Sequence, residues 1–559
     1  MAPRAESAQP AAAQPKDAGT ESAGGARGRF VVWASLLAAA LQLARFQNPE
    51  HAIDDSWVSF RVARNWIEAG VPTFDLSRPP VEGMTNLLWT VLSMAWIRPF
   101  PDVDPIIPAR VLGGLLYLLT VGLLVRLAAR VAREAGGNPP SAAVATGLAL
   151  GASGWVAFHA MSGMETALYG ALFALALDRL FTLWVDGKPA VAWVAGGALG
   201  LAAVTRPEGA LIAACGCLLV LLEKRFRPHW LRVALPVVVL IVATEVFRWR
   251  TYHSLLPNTF GAKPVDPATG LRYFWNFLLY GAGLLGVAGT VVAAHRSVFF
   301  RWVAGLAAVV AVATVVSGGD WMPGFRRHLP AALTLALGCG VGTAIATGRT
   351  RWLALAGVAC WMIGNLALTL RGRDSGLYGT TGMAKLGSMA QASPGVGRVA
   401  LSDIGAFGWF FRGSIVDLYG LTDAHLASLP GTHGNKAFDE AYLRAAAPEV
   451  IVIRSHTAIS NPLQQELLVA PNEVSLARWL IDAPEYAYRA TFPLGGGWHL
   501  LVFGRRGFTL PDSIWGSSPP KSPAQLLAER QARQEGEAQN VAPATRTEPL
   551  VPLRGQADP

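Results

Sequence analysis

Two adjacent carboxylates, Asp54 and Asp55, are the residues whose types and position most directly suggest chemistry. They follow the first hydrophobic segment, in a chain of which only 15% of the residues are charged. A carboxylate placed there can accept a proton from an attacking hydroxyl group, and its oxygens can also bind a divalent cation. The structural alternative is that Asp55, at the start of a predicted helix, caps the helix N-terminus.

Four further polar motifs lie beside apolar segments, where ionisable groups cost free energy and are therefore candidates for function. The motifs are SGMET at 162–166, TRPEG at 205–209, LLPNTFGAK at 255–263 and GGDWMPGFRRHLP at 318–330. Each also has a structural interpretation. Glu165 could favour a helix N-terminus by its charge, Arg206 could pair with Glu208, and Lys263, close to Asn258, could extend to lipid headgroups.

The motifs contain the kinds of side chain that a lipid-linked phosphosugar would need as contacts. The guanidinium group of Arg206 can hold a phosphate through several donors. The last motif combines a carboxylate, an aromatic ring and cations in Asp320, Trp321, Arg326 and Arg327. Such a ligand would use all three kinds of contact. The alternative is that the two adjacent arginines bind anionic lipid headgroups.

The composition predicts a polytopic membrane protein. Of the 559 residues, 52% are hydrophobic and 15% are charged, whereas soluble domains usually carry about 25% charged residues. The net charge is +10, but the basic residues form short clusters between apolar segments, which argues for membrane orientation and against nucleic-acid binding. The four cysteines fall within apolar segments, so neither a disulfide framework nor a zinc site is indicated.

The amino-terminal part divides into a tail, a first span and a long loop. Residues 1–28 have the composition of a disordered cytoplasmic tail, and a transmembrane domain is predicted at 29–370. Its first outer loop, at 47–107, contains a predicted amphipathic helix from Ser56 to Ala69 that would lie on the membrane surface. Residues 85–97 are apolar but too short to cross, since a span needs about 20 residues.

About eleven crossings follow from the apolar segments. The first runs from Phe30 to about Phe46. The others extend over about 108–128, 141–158, 164–184, 189–205, 209–222, 230–248, 273–294, 300–317, 329–347 and 351–370. With 85–97 omitted, the basic clusters fall on the cytoplasmic side, as the positive-inside rule requires. The same parity places all four polar motifs outside, beside Asp54 and Asp55.

Residues 371–508 predict an extracytoplasmic α/β domain. Short β-rich runs at 397–403, 414–418, 449–455, 485–493 and 498–504 are separated by predicted helices near 382–392, 438–446 and 473–482. An odd number of spans places this domain outside. Residues 509–559 have the composition of a disordered tail.

The segment DDSWVSFRVARN, followed by VEGMTNLLW, resembles the first outer loop of the GT-C membrane glycosyltransferases. More narrowly, it is similar to the branch that contains the mycobacterial terminal arabinofuranosyltransferases. The four polar motifs and the run SDIGAFGWFFRGSIVDLYGLTD at 402–423 are also similar to that family. The loop departs from the family at DLSRPPVEG, where relatives tend to have a glycine-containing turn.

The resemblance implies an inverting transferase in a bacterial cytoplasmic membrane that moves a sugar from a polyprenyl-phosphate donor to an envelope glycan or glycolipid. The narrower branch suggests arabinofuranose as that sugar. One of Asp54 and Asp55 would be the general base; Asp55 is preferred because the helix fixes its position. A divalent cation on this pair is compatible with the resemblance and is not required by it. The donor phosphate would contact Arg206, Lys263, Arg326 and Arg327. The remaining substrate contacts would come from Glu82, Glu165, Glu208, Asn258, Asp320 and Trp321.

Two other functions fit a polytopic membrane protein. A transporter or flippase of a lipid-linked saccharide would also place charges and broken helices along a path, but it predicts inverted repeats that the sequence does not show. A non-catalytic envelope assembly factor would use the outer domain to bind glycans without turnover.

Overall fold

The structure, a computed structural model, describes residues 18–262, 266–282, 286–320, 322, 324–375, 380–432, 435–455, 471–495, 498–508 and 511. Two of the predicted site residues, Lys263 and Trp321, lie outside this part of the chain. So do residues 1–17 and, apart from Pro511, the predicted tail at 509–559.

Apolar helices form the first part of the chain. They are α1 (Ala18–Ala44), α2 (Asp55–Ala69), α3 (Leu87–Ile97), α4 (Ile106–Glu134), α5 (Pro139–Gly151), α6 (Gly154–Met161), α7 (Thr166–Asp186), α8 (Pro189–Thr205), α9 (Pro207–Leu222), α10 (Trp230–Tyr252), α11 (Thr259–Ala262), α12 (Pro267–Asn276), α13 (Gly286–Arg296), α14 (Val298–Val316), α15 (Leu329–Ile345) and α16 (Gly348–Ser375). Helix α1 begins at Ala18, within the segment predicted as a disordered tail at 1–28. No proline interrupts this helix.

The helix lengths fit a multi-pass membrane protein. Among the described residues, 5 helices are long and apolar enough to cross a membrane, and a bent helix pair makes 6. The 5 are 106–134, 166–186, 227–252, 298–316 and 326–345. Several shorter apolar helices accompany them, so the number of crossings stays a prediction.

Two predicted spans are not single straight α-helices. The predicted span at 141–158 consists of α5 and α6, which meet at 58° and together are long and apolar enough to cross. Ser153, whose hydroxyl donates to the Ala149 carbonyl at 2.7 Å, lies at this break between two glycine-bearing helix ends. The predicted span at 273–294 consists of α12, a π-helix at Phe277–Ala282 and α13, with residues 283–285 outside the described part.

The first loop folds between the bundle and the C-terminal domain. Helix α2 confirms the predicted helix and ends at Gly70, whose φ of 73° suits glycine. Helix α3 has 11 residues, about 17 Å at 1.5 Å per residue, which is too short to cross a core of about 30 Å. Phe60 of α2 contacts Trp96 of α3. The polar side of α2, with Arg61 and Arg64, is also buried, so α2 is a packed helix instead of one lying on a surface.

The C-terminal part is an α/β domain, as predicted. Its elements are α17 (Thr380–Ala392), β1 (Arg398–Leu401), α18 (Gly405–Phe410), β2 (Ser414–Asp417), α19 (Ala424–Ser428), β3 (Gly431–Thr432), β4 (Asn435–Lys436), α20 (Glu440–Ala446), β5 (Val450–Ser455), α21 (Pro471–Asp482), β6 (Tyr486–Gly495) and β7 (Trp498–Arg505). The main sheet has the strand order β2-β1-β5-β7-β6, parallel over its first three strands and antiparallel over the rest. Buried aliphatic and aromatic residues of β1, β5 and β7 form its core.

Candidate active site

Asp54, one of the two predicted catalytic carboxylates, is bound to the C-terminal domain. Its two oxygens accept the backbone N–H groups of Gly405 at 2.7 Å and Ala406 at 2.8 Å, which open helix α18. Asp54 holds the N-cap position of α2 but makes no side-chain capping bond there. Burial and the nearby Asp403 carboxylate raise the pKa of Asp54 to about 7, although the two N–H donors oppose this shift.

Arg61 and Arg64 bind the other end of α18. Arg61 donates to the carbonyl oxygens of Gly408 at 2.8 Å, Phe411 at 2.9 Å and Gly413 at 2.7 Å, and also to that of Phe74 at 2.7 Å. Arg64 donates to the Trp409 carbonyl at 2.7 Å. Burial lowers the pKa of Arg61 to about 9. The last carbonyls of a helix lack partners within it, so these guanidinium groups satisfy acceptors that would otherwise be buried without a donor.

Together these contacts form what we call the α2–α18 clamp: Asp54, Arg61 and Arg64 on α2 and residues 405–413 of the C-terminal domain. A carboxylate faces the positive end of α18 and cations face its negative end, which complements the helix dipole. Gly405 permits the approach, because a Cβ at this position would stand 1.9 Å from the Asp54 carbonyl oxygen. The acidic and basic residues of the first loop therefore have a demonstrable structural use.

Asp55 points to a different side. It lies in the first turn of α2 and is partly buried. Successive residues of an α-helix project about 100° apart around the axis. On this geometry the Asp55 side chain leaves the helix about 100° around the axis from that of Asp54.

A buried ionic network joins three of the polar motifs. Arg206, at the break between α8 and α9, pairs with Glu165 at the start of α7 and with Glu208 at 3.3 Å. Arg327 donates from Nε to Glu208 at 2.6 Å and from Nη2 to the Ser317 hydroxyl at 2.6 Å. The side chains of Arg206, Glu165 and Glu208 are each at most 8% exposed. The structure thus brings together the motifs at 162–166, 205–209 and 318–330, as their common placement predicted.

The network reaches α2 through Asn86, a residue that the sequence analysis missed. Its side-chain amide donates to Glu165 at 2.8 Å, and its oxygen accepts from the Ser59 hydroxyl at 3.0 Å. Asn86 lies inside the segment VEGMTNLLW, but nothing in the sequence distinguished it from the polar residues around it. A buried amide with both ends satisfied is a connector between α2 and the bundle.

The arginines of the network are matched by carboxylates. Arg326 pairs with Asp320 within the same loop. Arg206, Arg326 and Arg327 therefore stand against Glu165, Glu208 and Asp320, so these described groups carry no excess positive charge. Arg327, with 19% of its side chain exposed, is the most accessible of the three arginines. Its role in holding a donor phosphate, and those of Arg206 and Arg326, stay predictions.

Glu82 and Asn258, both predicted to contact substrate, have protein partners. Glu82 accepts from Arg248 of α10 at 2.6 and 3.1 Å; its burial raises the pKa of the carboxyl group against the pull of that arginine. The Asn258 amide donates to the carbonyls of Gly420 at 2.7 Å and Leu421 at 3.0 Å. The first contact ties the first loop to α10, and the second ties the segment after α10 to the C-terminal domain.

A groove of about 220 Å³ lies beside the network. Its wall includes Thr85 and Leu87, which flank Asn86, and Pro207, which follows Arg206 directly, together with Val204. The other lining residues are Ala203, Ala210, Ile241, Thr244, Glu245, Arg248, Leu255, Leu256, Pro257 and Phe260. This mostly apolar lining with a few polar groups is typical of a site for an amphipathic ligand.

The acidic pair was also considered as a metal site. Within the described part of the chain, no group of three or more His, Cys, Asp or Glu side chains is arranged to hold a metal ion. The two oxygens of Asp54 already accept backbone N–H groups. The donor set therefore does not favour a cation shared by Asp54 and Asp55.

The fold was compared with solved structures. ArnT from Cupriavidus metallidurans bound to undecaprenyl phosphate is similar with a TM-score of 0.50 at 14% identity, over 87% of this chain and 98% of ArnT. The chain therefore shares the fold of ArnT, which is a GT-C glycosyltransferase. The same enzyme in the apo state gives a TM-score of 0.49 at 13% identity, over 86% and 98% of the two chains. An Archaeoglobus fulgidus oligosaccharyltransferase in complex with Zn and sulfate gives 0.48 at 13% identity, over 82% and 71%.

Sequence comparisons add one match. Residues 376–510 match a family described as a domain of unknown function, DUF8728. This region coincides with the α/β domain. Comparison with curated proteins gave no match. The membrane part and its fold are therefore assigned by structure, and the arabinofuranosyltransferase branch stays a hypothesis.

Proposed function

We propose that this protein is a glycosyltransferase that moves a sugar from a polyprenyl-phosphate donor to an acceptor hydroxyl group. The observation that carries the proposal is the position of the groove. The groove lies beside the Arg206 network and next to Asn86, which connects that network to α2. The chain also shares the fold of an enzyme that was solved with undecaprenyl phosphate. A donor with a lipid tail and an anionic head needs an apolar groove that ends at cationic and polar groups.

Asp55 is the general base of this proposal. Asp54 is committed to the α2–α18 clamp, whereas its neighbour projects elsewhere from the first turn of α2. Asp55 would accept the proton of the acceptor hydroxyl as the hydroxyl oxygen attacks the anomeric carbon. The bond from that carbon to the phosphate oxygen breaks in the same displacement, so the configuration inverts and a polyprenyl phosphate leaves.

The donor phosphate is assigned to Arg327 and Lys263. Arg327 is the more exposed arginine of the network, and Lys263 follows Phe260 of the groove wall closely in sequence. Arg206 is held by two buried carboxylates, which makes it a positioning residue. Glu165, Glu208 and Asp320 keep these arginines in place, and the predicted contacts of Trp321 with substrate remain part of the proposal.

For the donor sugar, the acceptor and the membrane orientation, the proposal rests on the sequence. We assign arabinofuranose as the donor sugar and an envelope glycan or glycolipid as the acceptor, in a bacterial cytoplasmic membrane with about eleven crossings and the α/β domain outside. A divalent cation is not part of this mechanism. Transport of the donor and non-catalytic assembly are the competing functions.

Labelled polyprenyl-phosphate sugars given to purified protein in liposomes test the proposal. Transfer of label to an acceptor, lost in Asp55→Asn and retained in Glu440→Gln on the exposed side of the α/β domain, is the expected result. A panel of donors that differ only in the sugar identifies the substrate. Movement of intact donor across the bilayer without transfer would show a flippase instead, and binding without either event would show an assembly factor.

A further inference from the structure

A second charged cluster lies between α4 and α7. The carboxylate of Asp178, which is 0% exposed, is approached by Arg130 at 3.1 Å, by Arg126 at 4.0 Å and by its neighbour Arg179. Arg130 also donates to the Thr182 hydroxyl at 2.9 Å. We call Arg126, Arg130 and Arg179 the arginine cluster. None of the predicted site residues belongs to it.

The arginine cluster carries more positive charge than its carboxylate can neutralise. Three guanidinium groups converge on the single carboxylate of Asp178, unlike the network around Arg206, in which the described arginines and carboxylates balance. Asp178 is buried and fixes Arg130 and Arg179. Arg126 is left at the longest distance, with 58% of its side chain exposed. This arrangement favours an additional anion beside Arg126.

The cluster lies at the end of the bundle opposite the candidate active site. Arg110, near the start of α4, donates to the carbonyls of Gln47 and Asn48 in the first loop. Arg126 is further along the same helix by about 24 Å at 1.5 Å per residue. The hydrocarbon core of a bilayer is about 30 Å thick. Arg126 therefore lies near the opposite boundary between acyl chains and headgroups, which it can reach by extending its side chain.

The surface leading to Arg126 is apolar. Leu115 and Leu119 on α4 are 60% and 50% exposed. A separation of seven or eleven residues returns to nearly the same side of an α-helix, so both leucines share the exposed side of α4 with Arg126. A ligand on this side would meet apolar surface over its length and a guanidinium group at its end. An acyl chain with an anionic headgroup has this distribution.

We propose that the arginine cluster binds the headgroup of an anionic phospholipid, with an acyl chain along Leu115 and Leu119. Basic sites between transmembrane helices are a known way to hold such headgroups. Asp178 and Thr182 orient the buried arginines, and Arg126 makes the exposed contact. The site does not depend on the proposed transferase activity, because it shares no residue with the groove or the network.

Lipid titration of the purified full chain in detergent tests this site. Phosphatidylglycerol is compared with phosphatidylcholine, with native mass spectrometry counting bound lipids and thermal unfolding reporting stabilisation. The wild type should retain phosphatidylglycerol in preference to phosphatidylcholine. Arg126→Gln should bind it about five-fold more weakly, since one basic residue near a membrane surface contributes about 1 kcal/mol.

Two variants make the outcome decisive. Arg126→Lys keeps the charge and should retain most of the preference. Arg349→Gln, at an exposed arginine near the start of α16, makes the same charge change outside the arginine cluster and should bind as the wild type does. The proposal is overturned if Arg126→Gln binds phosphatidylglycerol like the wild type. It is equally overturned if Arg349→Gln weakens binding as much, because a general surface charge would then explain the preference.

Discussion

Asp54 and Gly405 are 351 residues apart in sequence, yet the Asp54 carboxylate accepts the Gly405 N–H at 2.7 Å. One carboxylate of the acidic pair therefore holds the C-terminal domain, and we propose its neighbour Asp55 as the general base.

Asp54→Asn and Asp55→Asn should fail in different ways. An amide at position 54 offers one acceptor oxygen to two N–H donors, so the variant should lose about 1 to 3 kcal/mol of stability, measured by thermal or denaturant unfolding. An amide at position 55 cannot accept the acceptor proton, so turnover should fall about 100- to 10,000-fold with folding and donor binding retained. Near-normal turnover in both variants would remove the proposed mechanism.

Stability should depend on pH through Asp54. The pKa of this carboxyl group is raised from 3.8 to about 7 in the folded protein, so the folded state binds more protons between these values. Its contribution to stability is therefore present at low pH and is lost as pH rises toward 7, with a slope of at most about 1.4 kcal/mol per pH unit. Unfolding of the wild type and of Asp54→Asn from pH 4 to 8 should show this slope in their difference. A difference that does not change with pH would contradict it.

Arg61→Lys should weaken the α2–α18 clamp although it keeps the charge. An ammonium group is compact and cannot reach carbonyls of Phe74, Gly408 and Gly413 that a planar guanidinium spans. Each buried carbonyl left without a donor costs about 1 to 3 kcal/mol. Limited proteolysis should then release the C-terminal domain more readily.

Arg412→Lys is the matched control for the clamp. Arg412 pairs with Glu68 at 3.3 Å, with side chains 57% and 44% exposed. Exposed ion pairs contribute about 0 to 1 kcal/mol, so this variant should be digested like the wild type. Equal sensitivity of the two variants would mean that the guanidinium contacts of Arg61 do not hold the domain.

Arg206→Ala should destabilise the bundle. The substitution leaves Glu165 buried without its arginine, whereas Glu208 keeps Arg327, and breaking a buried pair costs about 3 to 5 kcal/mol. Adding Glu165→Gln should recover part of the loss, as a double-mutant cycle would show. If Arg206→Ala is instead as stable as the wild type and only donor affinity falls, Arg206 binds the phosphate directly.

Cysteine labelling of intact cells tests the orientation. Pro430→Cys in the α/β domain should react with a membrane-impermeant reagent, and Arg225→Cys between α9 and α10 should not. Each is compared with the parent chain, whose four cysteines lie in apolar segments. The reverse pattern would overturn the predicted orientation and would place 85–97 among the spans.

Local sequence patterns predicted where helices and strands lie, but they did not predict which of these elements contact each other. The 3.6-residue period of α2 and the β-rich runs of the C-terminal domain were sufficient because they depend on neighbouring residues. The bend at Ser153 and the π-helix at 277–282 were missed, because hydropathy does not register the local geometry of an apolar segment. The Asp54 contact with α18 and the Asn86 contact with Glu165 join distant parts of the chain, so no spacing within one segment encodes them.

The α2–α18 clamp also limits how the protein can be recombined. Residues 380–508 look like a module that could be grafted onto another transmembrane bundle, but α18 has its first N–H groups and its last carbonyls bound by side chains of α2. A chimera that exchanges the α/β domain alone would bury unmatched guanidinium groups and an unmatched carboxylate at the new junction. The exchangeable unit is therefore discontinuous in sequence. A working hybrid must take the first loop and the α/β domain from the same parent protein.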